Sequence, residues 1–130
     1  MSRADDLQKR TDAFADLSIL FVQGLPDTAV ARRLAAQYQD ASTSTAANYR
    51  AARRARSHKE FVAKIGIVSE EADESMFWLK RMQNAKVRST TVDIEPVLTE
   101  AEELANIFGA SHRTAKRRKR QHENPAIDAR

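Results

Sequence analysis

Residues 57–85, SHKEFVAKIGIVSEEADESMFWLKRMQNA, carry the pattern on which the fold turns. Phe61, Ile65, Val68, Ala72, Ser75 or Met76, Leu79 and Met82 recur at spacings of three and four, which places them on one stripe of a helix. Ser57 and Glu60 stand at capping-box spacing: the hydroxyl and the carboxylate can each satisfy a free backbone N–H at a helix start. A helix from Ser57 to about Ala85 is the expectation. The adjacent Phe77 and Trp78 cannot both join the stripe of Met76 and Leu79. One of them must widen the buried face or meet a second subunit, a use of bulky apolar residues that outweighs ligand stacking.

Working outward from this helix, the same period appears three more times. Leu7, Phe14, Leu17 and Phe21 form one face of a helix from about Ala4 to Gln23. Gly24-Leu25-Pro26 ends it, glycine suiting a left-handed position after a helix and proline preventing continuation. Asp27 or Thr28 can cap a second helix, from about Thr28 to Arg54, with the face Val30, Leu34, Tyr38, Ala41, Thr45, Asn48 or Tyr49, and Ala52. Its centre, Ser42-Thr43-Ser44-Thr45, forms helix poorly in isolation, so packing must hold it. After a connector at about Asn84 to Thr91, Asp93 can cap a fourth helix with Pro96 in its first turn, where the missing N–H costs little. Ile94, Val97 or Leu98, Ala101, Leu104, Ala105 and Phe108 form its stripe; the pattern fades near Ser111. Helices of roughly 20 to 30 residues are about 30 to 45 Å long, and a short first connection favours antiparallel neighbours. The expectation is an all-α, antiparallel, up-down-up-down four-helix bundle over residues 1–111. A basic C-terminal extension over 112–130 is then partly helical and disordered from Asn124-Pro125 to Arg130.

Composition agrees. The 130 residues are 42% hydrophobic and 31% charged, with three Gly and three Pro, a balance compatible with helices and with one modest core. Without cysteine there are no disulfides, thiolate zinc sites or cysteine nucleophiles. No run approaches the roughly 18 apolar residues of a membrane span, and the N-terminus carries no signal-peptide hydrophobic region, which makes a cytoplasmic protein the expectation.

Charge is uneven. From His112 onward seven Lys or Arg face Glu123 and Asp128, whereas residues 1–111 hold fifteen positive and sixteen negative residues. In an up-down-up-down bundle the second turn and the end of the fourth helix share one pole. That pole gathers Arg50, Arg53, Arg54, Arg56, Lys59 and Lys64 with Arg113, Lys116, Arg117, Arg118, Lys119 and Arg120. Such a surface suits phosphate backbones through non-specific, salt-sensitive contacts. The plainer reading is that basic residues complement helix C-termini and keep the chain soluble. No aromatic residue interleaves with either cluster to stack on bases.

Catalysis finds little support. Glu70, Glu71, Asp73 and Glu74 on the third helix and Glu100, Glu102 and Glu103 on the fourth lack the Glu-x-x-His pairs of bundle-core dimetal sites. Solvated faces and inter-helix ion pairs, with a polar contact from Glu70 or Glu74 to Asn48 or an Arg, are the expected uses. The three glycines form no phosphate-binding loop. Gly66 and Gly109 lie inside helices, where each costs about 1 kcal/mol relative to Ala and implies close helix approach. No enzyme activity, cofactor or metal is expected.

The motifs Asn48-Tyr49-Arg50, Arg56-Ser57 with Glu60-Phe61, Glu71-Ala72-Asp73-Glu74-Ser75 with Phe77-Trp78-Leu79, and Glu103-Leu104 with Ile107-Phe108 resemble a bacterial group. It is the four-helix bundle protein family first noticed as reading frames inside intervening sequences of 23S ribosomal RNA genes. The likeness spans about residues 10 to 118. It implies a ring-like homopentamer and kinship with the accessory variability determinant of diversity-generating retroelements, which binds nucleic acid and a reverse transcriptase. Ala51, Lys80 and Thr45 depart from the family's usual residues. Two functional expectations follow. One is a non-catalytic oligomeric bundle that binds RNA or DNA through its basic pole as an accessory to a larger nucleic-acid enzyme. The other is a structural or protein–protein interaction module with an acidic protein partner.

Overall fold

The structure, a computed structural model, describes residues 2–123, with side chains through Arg118. The expected disordered end, Asn124 to Arg130, lies outside the described residues, as do the side chains of Lys119 and Arg120. The described chain is all-helical: α1 (Arg3–Gln23), α2 (Ala29–Arg53), α3 (His58–Asn84) and α4 (Ile94–Glu123), with no strand among the described residues. In accord with a four-helix bundle, α1 packs on α2, α2 on α3 and α3 on α4, while α1 meets α4 over a shorter stretch. α4 crosses Ser111 without a break.

Local chemistry sets the starts. Thr28, not Asp27, caps α2, its hydroxyl accepting from the Ala31 N–H at 3.1 Å; Asp27 pairs with Arg32 at 2.5 Å. Ser57 caps α3 by accepting from the Glu60 N–H at 3.0 Å, but the capping box is only half formed, because the Glu60 carboxylate turns to Arg56 Nε at 3.7 Å. A reciprocal box forms instead at α1, between Ser2 and Asp5.

Gly24 corrects the expectation at the end of α1. Its φ is −91° and its ψ 0°, right-handed values open to any residue. What requires glycine is space: a Cβ would lie 2.5 Å from Thr91 Oγ1 and 2.7 Å from the Thr91 backbone nitrogen. The left-handed position falls after α3, at Lys86 with φ 59°. There Lys86 N–H donates to Gln83 O and Val87 N–H to Met82 O, the paired bonds of a Schellman motif, in which glycine is the usual residue. Lys86→Gly is expected to stabilise the chain by about 0.5–1 kcal/mol, the left-handed penalty less glycine's greater entropy when unfolded. A higher urea midpoint at unchanged slope checks it.

The core is built from Phe14 and Phe21 of α1, Tyr38 and Tyr49 of α2, Ile65, Val68, Leu79 and Met82 of α3, and Val97, Leu104 and Phe108 of α4. The open alternatives resolve locally. Tyr49 is buried and Asn48 is not; Ser75 is buried with Met76 half-buried; Val97 and Leu98 are both buried. Val30 is 58% exposed, and Ala31, which keeps heptad register with Tyr38, Thr45 and Ala52, takes the buried place. Phe61 is only half-buried, its neighbour Val62 filling the stripe. Trp78 packs on the core while Phe77 stays 45% exposed, edge-on to Trp78 at 4.9 Å and covered by the Arg81 guanidinium at 4.8 Å.

Small hydroxyl residues lie within these stripes. Thr11, Ser42, Thr45 and Ser75 each donate to a carbonyl of their own helix, at Gln8, Gln39, Ala41 and Glu71. They are buried without an unmet hydrogen bond, which explains how the Ser42–Thr45 stretch stays helical inside the molecule. Ser18 instead bonds across to the Tyr38 hydroxyl at 2.6 Å. Burial pushes the Tyr38 hydroxyl's pKa above its ordinary value, with the Ser18 bond opposing. Where a polar contact from Glu70 or Glu74 is the expectation, Asn48 donates within its own helix, to Ser44 O at 2.9 Å.

The basic pole as the candidate functional site

The turn from α2 to α3 is tight. Arg54 is the C-cap of α2, its N–H donating to Ala51 O, and Ser57 is the N-cap of α3. The last turns of α4 lie against the first turns of α3. His58 Nε2 is 3.0 Å from the Ala115 carbonyl oxygen, and a Cβ on Gly66 would come 2.9 Å from His112 Nε2. Gly66 is therefore the seat of an imidazole from the facing helix. At Gly109 an added Cβ would lie 3.5 Å from Arg113 Nη1 and 3.9 Å from Ser69 Oγ of α3, so the Arg113 side chain folds back along its own helix.

These contacts bring the two basic segments to one end of the molecule, but their members differ in freedom. Arg50, Arg54 and Lys59 are exposed. Arg56 is 91% exposed and only loosely paired with Glu60. Arg53 is committed to structure: it donates to Gln8 Oε1 at 2.5 Å and to Asp5 Oδ1 at 2.8 Å, tying the end of α2 to the start of α1. Arg53, with the Ser2 backbone and hydroxyl, holds the Asp5 carboxyl below the usual carboxylate range. Arg113, Lys116, Arg117 and Arg118 are exposed on α4, with Arg117 donating to Thr114 Oγ1 at 3.4 Å. Helix α4 continues through Lys119 and Arg120. Lys64 is half-buried.

Acidic side chains are engaged or gathered elsewhere. Arg10 grips Glu100 with two bonds of 2.8 and 2.7 Å and also pairs with Glu103, joining α1 to α4. Lys80 lies 4.0 Å from Glu102. On α3 burial, then the neighbouring Glu74, Glu70 and Asp40 carboxylates, raise the Glu71 pKa. Negative charge thus collects around Glu71 on α3, while Asp5 and Glu60 lie among the cations of the pole, paired with Arg53 and Arg56. Among the described residues no group of three His, Asp or Glu side chains is placed to hold a metal ion, and no helix is long and apolar enough to cross a membrane.

Beside the basic residues lies an open cleft of about 750 Å³, lined by Arg3 of α1, His58 and Phe61 of α3, and Ile107, Ser111 and Arg118 of α4, among others. No described lining residue is a carboxylate. Sequence reasoning missed it. The apolar stripe claimed Phe61 for the core, and nothing local links positions 3, 61 and 118.

A solved structure from Bacteroides thetaiotaomicron, a protein of unknown function from the S23 ribosomal protein family, resembles this chain with a TM-score of 0.71. The match covers 86% of this chain and 99% of that one at 18% sequence identity. The likeness is one of fold. Neither a protein-family model nor a curated protein matches the chain.

Proposed function

We propose that this protein is an antiparallel, up-down-up-down four-helix bundle that binds RNA or DNA without catalysis, through its basic pole. Support for the up-down-up-down order comes from contacts between successive helix ends: Arg53 with Asp5, Gln83 with Glu95 at 2.9 Å, and His58 with Ala115. The observation that carries the functional reading is the His58–Ala115 contact, because it sets the exposed cations of α4 beside those of the α2–α3 turn. Phosphate oxygens gain from such a convergence whatever the base sequence, since the attraction is electrostatic and releases counterions. Assembly into a ring, a pentamer by the resemblance, would repeat the pole several times and raise avidity without new contacts. An accessory role to a larger nucleic-acid enzyme follows from the same resemblance.

The test is a fluorescence-anisotropy titration of labelled RNA and DNA at several salt concentrations. Cutting the chain after Ser111 would remove the buried Ala115, so charge reversal is the better perturbation. Lys116→Glu, Arg117→Glu and Arg118→Glu together are expected to reduce the slope of log affinity against log salt by about 2–3 for duplex DNA, at about 0.9 for each phosphate no longer neutralised. Helical content should be unchanged. Wild-type protein that binds neither polymer would overturn the reading, and nuclease-resistant capture of an acidic protein would replace it with a protein-interaction module.

A further inference from the structure

The cleft at the pole has a feature that the exposed rows of Lys and Arg lack: apolar side chains line it together with cations. Phe61 sits in the first turn of α3 and is half-buried, packed on the core and beside the His58 ring, whose centroid lies 6.4 Å away at an interplanar angle of 31°. Ile107 of α4 is also half-buried, and both line the cleft with Arg3 and Arg118. Asn106 and Ser111, two further lining residues, bring an amide and a hydroxyl. A phosphate backbone alone needs only the exposed cations. A concave site with an aromatic wall, two guanidinium groups and a few polar groups suits a planar, apolar-faced group that carries a phosphate.

We propose that the cleft takes one unpaired nucleotide of a bound single strand, its base against Phe61 and Ile107 and its phosphate at Arg3 and Arg118. This rests on the nucleic-acid reading above and narrows it. A base inside a duplex has both faces covered by its neighbours and cannot offer one to Phe61, whereas an unpaired base can, and stacking of this kind tolerates any base. Asn106 and Ser111 then meet the base edge. The absence of carboxylates among the described lining residues fits an anionic occupant. The site escapes sequence inspection because the aromatic and the cations lie on three different helices.

The experiment compares a labelled oligothymidylate strand with a duplex of the same length, for the full chain and for Phe61→Leu and Arg3→Gln. Leucine keeps apolar contact with the core, and Arg3 is exposed in the first turn of α1, so both variants should keep wild-type helical content. Phe61→Leu is expected to weaken strand binding about tenfold through weaker stacking, and duplex binding by less than about twofold. Arg3→Gln should also cost the strand more than the duplex. If both variants bind strand and duplex with wild-type affinity, or lose both equally, the nucleotide cleft is overturned while the basic pole still stands. If the wild-type chain binds neither, the pole and the cleft fall together.

Discussion

Phe108→Ala should cost about 3–5 kcal/mol of unfolding free energy, the range for deleting a fully buried aromatic side chain. Phe108 is 0% exposed and its ring lies 5.2 Å from that of Tyr49, tilted by 50°. Truncation removes both the buried apolar surface and the ring's packing on Tyr49, and the helices around it can close only part of the space. Against the about 5–15 kcal/mol that a domain of this kind possesses, the loss brings the chain near its stability threshold. Urea unfolding followed by helical circular dichroism measures it. A loss below about 1 kcal/mol would mean that Phe108 is not packed in the core against Tyr49, since surface positions rarely cost more.

The second large effect is expected at Gly24. By helix propensity and backbone entropy alone, Gly24→Ala at a right-handed position should help by about 0.4–1 kcal/mol. The structure reverses the sign. The new methyl group would meet the Ser89 hydroxyl and the Thr91 backbone nitrogen, in a segment pinned by Thr90 N–H donating to Gly24 O at 2.9 Å and Ser89 Oγ donating to Phe21 O at 2.7 Å. A flexible side chain could move aside, but a backbone nitrogen moves only with its segment. The expected cost is about 1–3 kcal/mol, as for overpacking elsewhere. Comparison of Gly24→Ala with Lys86→Gly in the same urea series separates the two ideas. If both stabilise, the turn at Gly24 is open and the close approach of the connector is wrong; opposite signs support it.

Much of the fold was legible because the relevant physics is local. The stripe from Ile65 to Met82 reads directly as α3, and its N-cap Ser57 is an adjacent-residue effect, which is why the helix starts where the motif says. Pro96 in the first turn of α4 and the end of α1 before Gly24 are legible for the same reason, and one of the two offered caps, Thr28, starts α2. Errors came where two neighbours competed for one buried place. Hydrophobicity alone chooses Val30 over Ala31, whereas the structure buries Ala31, in heptad register with Tyr38, Thr45 and Ala52, and leaves Val30 exposed. The charge clusters were visible as runs, but the commitment of Arg53 to Asp5 and Gln8 was not, since those partners lie 48 and 45 residues away.

By itself, then, the sequence determined four helices, the approximate ends of the first three and an excess of positive charge late in the chain. Helical period, capping and like-charge runs are properties of residues a few positions apart. Only the tertiary structure decided that Gly24 answers to crowding and Lys86 takes the left-handed turn. It also decided that Gly66 seats His112, and that Phe61 lines a cleft with Arg3 and Arg118. Each of these depends on atoms from separate helices meeting within a few ångströms, a distance fixed by how whole side-chain surfaces pack together.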